Sequence, residues 1–245
     1  MRRPKMILFD YGQTLVNEAA FDGVRGTEAV LRYAVKNKYH MTAAQVQAEA
    51  EAINRELGRT DPYKRHLFQI EVPNHMFTAY LYQSLGIELS LGAEQIDKIF
   101  WDAAAPGTVT DGVEAFLTFL YQNGFRTGVI SNISYAGKVV ENRINELIPT
   151  NHFEFVIASS EYLYRKPNRR IFELALEKAE LSASEVWYIG DQYECDIVGA
   201  RNAGLFPVWY IGAADMRLPE DNDVCKVSDW KELQELLGIG NGKEI

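Results

Sequence analysis

Cysteine is nearly absent from this chain. Cys195 and Cys225 are the only two, and no CxxC pair occurs. That excludes a disulfide framework and a thiolate zinc site, and it fits a reducing compartment. Long apolar runs are missing as well. No stretch approaches the roughly 18 apolar residues that a membrane helix needs. The run that follows Met1, Arg2, Arg3, Pro4 and Lys5 is too short for the core of a secretory signal. The expectation is a cytoplasmic protein with no membrane contact. Positive charge is in deficit, with a net charge of −9. Surfaces that wrap nucleic acid are basic, so no nucleic-acid partner is expected. Internal repeats and low-complexity runs are also lacking. The Gly-x-Gly-x-Gly-Lys tail from Gly238 to Ile245 faintly resembles a phosphate loop, but no helix can follow it, and it reads as a frayed end. The Asn132-Ile133-Ser134 sequon, in a chain without a signal, reads as chance.

What is present is enough apolar material, 47% of 245 residues, for one large domain or a domain with an insert. Short runs rich in Val, Ile, Phe and Tyr occur at Lys5–Phe9, Arg126–Ser131, Glu154–Ala158, Val186–Ile189 and Pro207–Ile211. They do not alternate strictly, which suits strands covered on both faces. Helical patterns separate them. Val113–Gln122 has Asp111 as a candidate N-cap, Glu114 three residues on, and a stop at Gly124. Arg169–Ala179 and Asp196–Ala203 follow the third and fourth runs. Strand and helix in alternation predict an α/β fold, a doubly wound parallel sheet of Rossmann-like type with right-handed crossovers. Residues 17–105 break the rhythm. They carry helical patterns at Gly23–Lys38, Ala43–Leu57 with a Thr42/Gln45 capping box, Asn74–Leu85 and Ala93–Ala104, and no convincing strand. The expected division is a core domain of residues 1–16 and 106–245 and an all-helical cap domain of residues 17–105, with Pro106-Gly107 as a hinge.

Ligands of such sheets sit beyond the C-terminal strand ends. Asp10, Ser131, Ser159 and Asp191 all fall there. Taken singly, each has an ordinary explanation. An Asp at a strand end is commonly a turn residue or cap, Ser131-Asn132 an ordinary turn, Lys166-Pro167 an ordinary approach to a helix, and Gly190-Asp191 a common turn dipeptide. Their order and spacing are what chance does not readily supply.

Phe9-Asp10-x-x-x-Thr14-Leu15, then Val129-Ile130-Ser131-Asn132, then Arg165-Lys166-Pro167, then Ile189-Gly190-Asp191-x-x-x-x-Asp196 resemble the four motifs of the haloacid dehalogenase superfamily, over essentially the whole chain. The helical stretch after Leu15 matches the position and type of that family's cap. The resemblance implies that Asp10 is a nucleophile forming an aspartyl phosphate, with Lys166 as a catalytic point charge beside it. Ser131, Asn132 and Thr14 are expected to bind the phosphate. Asp10, the backbone carbonyl of Gly12, Asp191 and Asp196 are expected to hold Mg²⁺, a hard cation suited to an all-oxygen site. Asp196 either reaches the metal or orients Lys166. The expected partner is a small phosphorylated substrate, and no pattern selects an oligomeric state.

One departure stands out. Family phosphatases usually carry an Asp two residues after the nucleophile, to protonate the leaving oxygen and then activate water. Here that residue is Gly12. General acid–base help is worth roughly 10²–10⁴ in rate, and its loss matters most for poor leaving groups. Glu18, Asp22, His66, His75 and the Tyr63-Lys64-Arg65-His66 cluster are candidate replacements, although each also reads as an ordinary solvated residue. Met76, Phe77, Tyr80 and Leu81 at helical spacing read as cap core. A dehalogenase-like reading is weakened by the retained acidic pair Asp191/Asp196 and by Tyr11 standing one residue early. A phosphonatase-like reading would need a cap lysine, from Lys36, Lys38, Lys64 or Lys98, and no pattern selects one. A phosphomutase is disfavoured by Gly12. The leading expectation is a Mg²⁺-dependent phosphatase. The rival is a degenerate relative that binds a phosphorylated ligand or partner without turnover.

Overall fold

The run Met6–Phe9 forms β1, buried along its whole length. In the computed structural model, which describes residues 3–59, 67–212 and 221–238, it is the pivot of the main sheet. The chain continues through β2 (Val16–Glu18), α1 (Gly23–Leu31), β3 (Ala34–Asn37), α2 (Ala43–Glu56), α3 (Asn74–Ser84), β4 (Ile87–Leu89), α4 (Ala93–Ala104) and β5 (Gly107–Val109). It then runs α5 (Val113–Gln122), β6 (Arg126–Ser131), α6 (Gly137–Leu147), β7 (Phe153–Ala158), α7 (Ser159–Tyr162), α8 (Arg169–Ala179) and β8 (Val186–Gly190). A π-helical turn at Tyr193–Val198 leads into α9 (Gly199–Asn202), β9 (Phe206–Tyr210), β10 (Cys225–Val227) and α10 (Trp230–Leu236).

The main sheet has six strands in the order β10-β9-β8-β1-β6-β7, all parallel. β1 has β6 on one side and β8 on the other, so connections leave it in opposite directions and a crevice opens at its C-terminal end. Alternate residues of β1 supply the two faces. Ile7 and Phe9 pack against α5, α6 and α10 through Leu117, Val140 and Trp230, while Met6 and Leu8 pack against Ile171 and Phe172 of α8. Both faces being covered explains why the strands read as continuous apolar runs.

A separate apolar cluster of Val30, Val46, Leu81, Tyr82, Ile87 and Ile96 holds the insert together. The expectation of an all-helical insert is corrected here. β3 and β4 pair antiparallel, and β2 pairs antiparallel with β5 where the chain enters and leaves. The predicted helix Gly23–Lys38 stops at Leu31, and β3 follows. Tyr33 and Val35 are 44% and 69% exposed, so their apolar character extended the helical pattern without marking a buried face. Met76 and Tyr80, read as cap core, are exposed, whereas Leu81 is buried. The Thr42/Gln45 capping box is present. At α5 the N-cap is Gly112, in the left-handed conformation with φ of 82°, rather than Asp111. The core elements α6, β10 and α10 carry too little signal to be predicted. The buried stripe of α6 includes Arg143, and β10 spans three residues. His66, Lys64, the Tyr63–His66 cluster and the tail beyond Gly238 lie outside the described residues. Among the described residues no helix is long and apolar enough to cross a membrane.

Candidate active site

β1 ends by delivering Asp10 into the crevice, its N–H bonded to the Ile189 carbonyl of β8 at 2.8 Å. Lys166 enters the same point from the loop before α8. Its ammonium donates to Asp10 Oδ1 and Asp196 Oδ1, both at 2.6 Å, and to the Tyr188 hydroxyl at 2.7 Å. The lysine is 2% exposed. Its backbone is fixed too: the Asn132 side-chain amide donates to the Lys166 carbonyl at 2.8 Å and accepts from the Lys166 N–H at 2.7 Å. Asn132, expected as a phosphate ligand, thus commits its side chain to positioning the lysine. Ser131 is buried at the end of β6. The Thr14 hydroxyl faces Asp191 Oδ1 at 3.5 Å.

Asp10, Asp191 and Asp196 bring carboxylate oxygens within 4.8 Å of one another. They differ in how well they are satisfied. Asp196 Oδ1 accepts from Lys166 and Tyr188, and its Oδ2 accepts from the Gln192 N–H at 2.9 Å. Both of its oxygens are therefore engaged by the protein, which favours the lysine-orienting role over direct metal contact. Asp191 has only the long contact to Thr14 among its described side-chain bonds. Burial raises the Asp10 carboxyl from its ordinary 3.8 to about 6, with Lys166 opposing and Asp196 adding to the rise. Burial, then Asp10 and Asp196, push Asp191 well above the usual carboxylate range. Burial alone would lower the Lys166 ammonium, but Asp10 and Asp196 outweigh it and raise it. Three carboxylates thus face one ammonium with charge left over. The donor set is all oxygen and fits a divalent cation such as Mg²⁺, with Asp10, Asp191 and the Gly12 carbonyl as the groups that would hold it.

Gly12 leaves room beside the nucleophile, and Glu18 occupies it. A Cβ placed on Gly12 would lie 3.8 Å from Glu18 Oε2. Glu18 Oε1 accepts from the Trp101 indole at 2.6 Å and lies 3.7 Å from the Arg143 guanidinium. Arg143, buried on α6, also donates to the Tyr11 hydroxyl at 2.9 Å and the Ala105 carbonyl at 2.6 Å, and pairs with Asp102. Burial raises the Glu18 carboxyl, opposed by Trp101 and Arg143 and assisted by Asp10. Asp22, the neighbouring candidate, instead caps α1 by accepting from the Arg25 N–H at 3.0 Å. His75 is exposed on α3.

A cavity of about 620 Å³ opens between the sheet edge and the insert, within the range usual for small-molecule sites. Its lining includes Gln13, Glu18, Asn132 and Arg165. Asp10 and Lys166 are not lining residues; Lys166 is tied to the lining by its bonds to Asn132 and by the chain from Arg165. Among the described residues no lysine lines the cavity. Lys36 pairs with Glu88 and Lys98 with Asp102 and Glu146 on the surface, so neither supports Schiff-base chemistry, and Lys64 lies outside the described residues. Sequence reasoning missed Tyr188, Arg143 and Trp101. The available signals were polar or aromatic residues interrupting buried stripes: Tyr188 inside the β8 run, and Arg143 among Val139, Val140 and Ile144.

The sequence matches the haloacid dehalogenase-like hydrolase family over residues 4–204. It is 32% identical over 118 residues to the human haloacid dehalogenase-like hydrolase domain-containing protein 3, covering 47% of this chain and 46% of that one. The chain thus spans about half the length of that relative. It is 29% identical over 234 residues to a pyrimidine 5'-nucleotidase of Escherichia coli strain K12, covering 94% and 96% of the two chains. In fold it is similar to a 2-haloacid dehalogenase from Pseudomonas syringae pv. Tomato DC3000, with a TM-score of 0.65, 19% identity, and 96% and 98% of the two chains covered.

Proposed function

Because this chain belongs to the haloacid dehalogenase-like hydrolase family, we propose that it is a Mg²⁺-dependent phosphatase of a small phosphoester, with Asp10 as nucleophile. The observation that carries this reading is the buried Asp10 carboxylate, 2.6 Å from Lys166 at the end of the central strand, with Asp191 beside it and in excess of the local positive charge. An Asp10 oxygen would form a bond to phosphorus as the bond to the leaving oxygen breaks. Water would then cleave the phospho-Asp10, releasing inorganic phosphate and restoring the carboxylate. Lys166, held by Asn132, Asp196 and Tyr188, would neutralise charge on the nucleophile and the phosphoryl oxygens. A bound Mg²⁺ supplies further neutralisation of the phosphoryl group. Ser131 and the Asn132 backbone N–H are the donors assigned to the phosphoryl group, and Thr14 supports Asp191.

Glu18 is the group we assign to the work that Gly12 cannot do. Its carboxylate reaches the space beside Gly12, it lines the cavity, and its raised pKa suits an acid that gives up a proton and later takes one back. The matching relatives include a named pyrimidine nucleotidase, which supports phosphorus chemistry. The dehalogenase neighbour supports the fold alone. The domain division, a core of residues 1–16 and 106–245 with a cap of 17–105, belongs to this reading, the insert roofing the cavity.

The test is hydrolysis of an aryl phosphate with and without Mg²⁺ in the wild type and in Asp10→Asn. Equal residual rates in the two proteins would end the proposal. Gly12 motivates one other reading, a binder without turnover. That reading requires Mg²⁺-dependent ligand binding with no hydrolysis even of acyl phosphates.

A further inference from the structure

The part of the cavity lining that includes Arg59 and Arg165 carries a charge imbalance opposite to that at Asp10. The backbone of residues 69–71 docks against 163–165: the Arg165 N–H bonds to the Gln69 carbonyl at 3.0 Å and the Glu71 N–H to the Leu163 carbonyl at 2.7 Å. This pairing sets Glu71 against Arg165, and Arg59 closes on the same carboxylate. Arg59 lies 3.0 Å and Arg165 3.1 Å from Glu71 oxygens, whose side chain is fully buried. The rest of the carboxylate is spent on the Ser159 hydroxyl at 2.6 Å and the Val72 N–H at 3.2 Å. Phe68 lies against both guanidinium groups, with ring centroids 5.3 Å and 5.5 Å away.

Two guanidinium groups therefore share one carboxylate, and among the described residues no second acid pairs with either. Both groups line the cavity. The Nε atoms of Arg59 and Arg165 are buried and have no hydrogen-bond partner. A buried donor without a partner costs free energy, and an unbalanced buried charge costs more. The protein as a whole carries −9, so this excess of one positive charge runs against its overall sign. Planar guanidinium forks match carboxylates and phosphates. Among the described residues the excess is a single charge, which a monoanion neutralises, and this favours a carboxylate over a phosphate dianion. Arg165 is bonded in sequence to Lys166, so one small molecule can present its phosphoryl group to Asp10 and its second group to this part of the lining.

We propose that Arg59 and Arg165 form a carboxylate-binding subsite, and that the substrates are small phosphoesters carrying a carboxylate, that is, phosphorylated organic acids. This rests on the phosphatase reading for the reaction but not for the binding. The experiment compares 3-phosphoglycerate with glycerol 3-phosphate, which share a primary phosphoester and differ in a carboxylate against a hydroxymethyl group. The wild type should favour the acid in kcat/KM by on the order of 10-fold or more. Arg59→Gln should collapse that ratio through KM, leaving Arg165 paired with Glu71, and Arg59→Lys should retain most of it. A wild-type ratio near one, or a ratio that Arg59→Gln leaves unchanged, overturns the subsite while leaving Asp10-dependent turnover to stand. Absence of turnover on every ester defeats the phosphatase reading instead. Calorimetric affinities of the wild type for the same two compounds then decide the subsite alone, tighter binding of 3-phosphoglycerate supporting it and equal binding overturning it.

Discussion

The carboxylate cluster at Asp10 and the arginine pair lining the cavity carry charge imbalances of opposite sign. At the sheet edge three carboxylates gather around one ammonium, and where residues 69–71 dock against 163–165 two guanidinium groups share one carboxylate. Among the described residues, each leaves charge that no neighbouring side chain cancels. Folding alone penalises both arrangements, since breaking even against a hydrophobic replacement is hard for fully matched buried ions. The comparison teaches that these imbalances are addressed to ligands of opposite sign, a divalent cation at one end and an anion at the other. The partner that would neutralise each end differs, so the ends should respond to different perturbations.

The largest effect is expected at the acidic end. Asp10→Asn should lower turnover of an aryl phosphate by on the order of 10³ or more, measured as kcat, because it removes the attacking oxygen. Chelation should abolish turnover and added Mg²⁺ restore it. Full activity in metal-free buffer would break the comparison at this end. Next in size, Glu18→Gln should slow hydrolysis of an alkyl phosphate by roughly 10²-fold and that of an aryl phosphate much less. Gly12→Asp alone should gain little, since its carboxylate would crowd that of Glu18, whereas Gly12→Asp combined with Glu18→Gln should recover rate. Equal slowing of both ester types would remove Glu18 from proton transfer. Smaller again, Asn132→Ala should lower kcat about tenfold and stability by about 1–2 kcal/mol, read by urea unfolding, because it frees the Lys166 backbone.

The smallest effect is a pH dependence of stability. In the metal-free protein the Asp10 carboxyl lies near 6, above its ordinary 3.8. The folded state then binds more protons than the unfolded state between those values. Asp10 therefore contributes stability that is fully present below about 4 and is lost as pH rises through about 6. Asp191, also raised, acts in the same direction. Added Mg²⁺ should therefore raise the melting temperature more at pH 7.5 than at pH 5, by differential scanning fluorimetry. An equal shift at both pH values would mean that the cation does not sit on these carboxylates.

The acidic end was legible in the sequence and the basic end was not, for a physical reason. Asp10 and Asp191 lie directly at the ends of apolar strand runs, which the sheet topology brings side by side, while Lys166 and Asp196 were legible through the spacing of the motifs around them. Arg59, Glu71 and Arg165 meet through an irregular pairing of residues 69–71 with 163–165, which has no periodicity to read. Glu71, buried between Ile70 and Val72, was the one local clue. The fold shows the same divide. The five strands of the main sheet with continuous apolar character were predicted to within a residue or so of their ends. β3, β4 and β10 are short, and the β3–β4 pair is partly solvent-facing, so they left no pattern. Gly12 was visible as a gap, but the group filling it was decided by the turn of β2, which carries Glu18 back beside Gly12.

That same strand has a consequence for how the molecule is assembled. Glu18 and Gly107 are direct partners in the β2–β5 ladder, so the chain leaves the main sheet and returns to it side by side, about 5 Å apart. Everything between them is, in effect, a cassette plugged into one two-pronged socket. The insert therefore adds no strand to the main sheet, whose order is set by residues on either side of it. Glu18 sits on one of the prongs, so the group beside the nucleophile is held at the junction where the chain enters the insert.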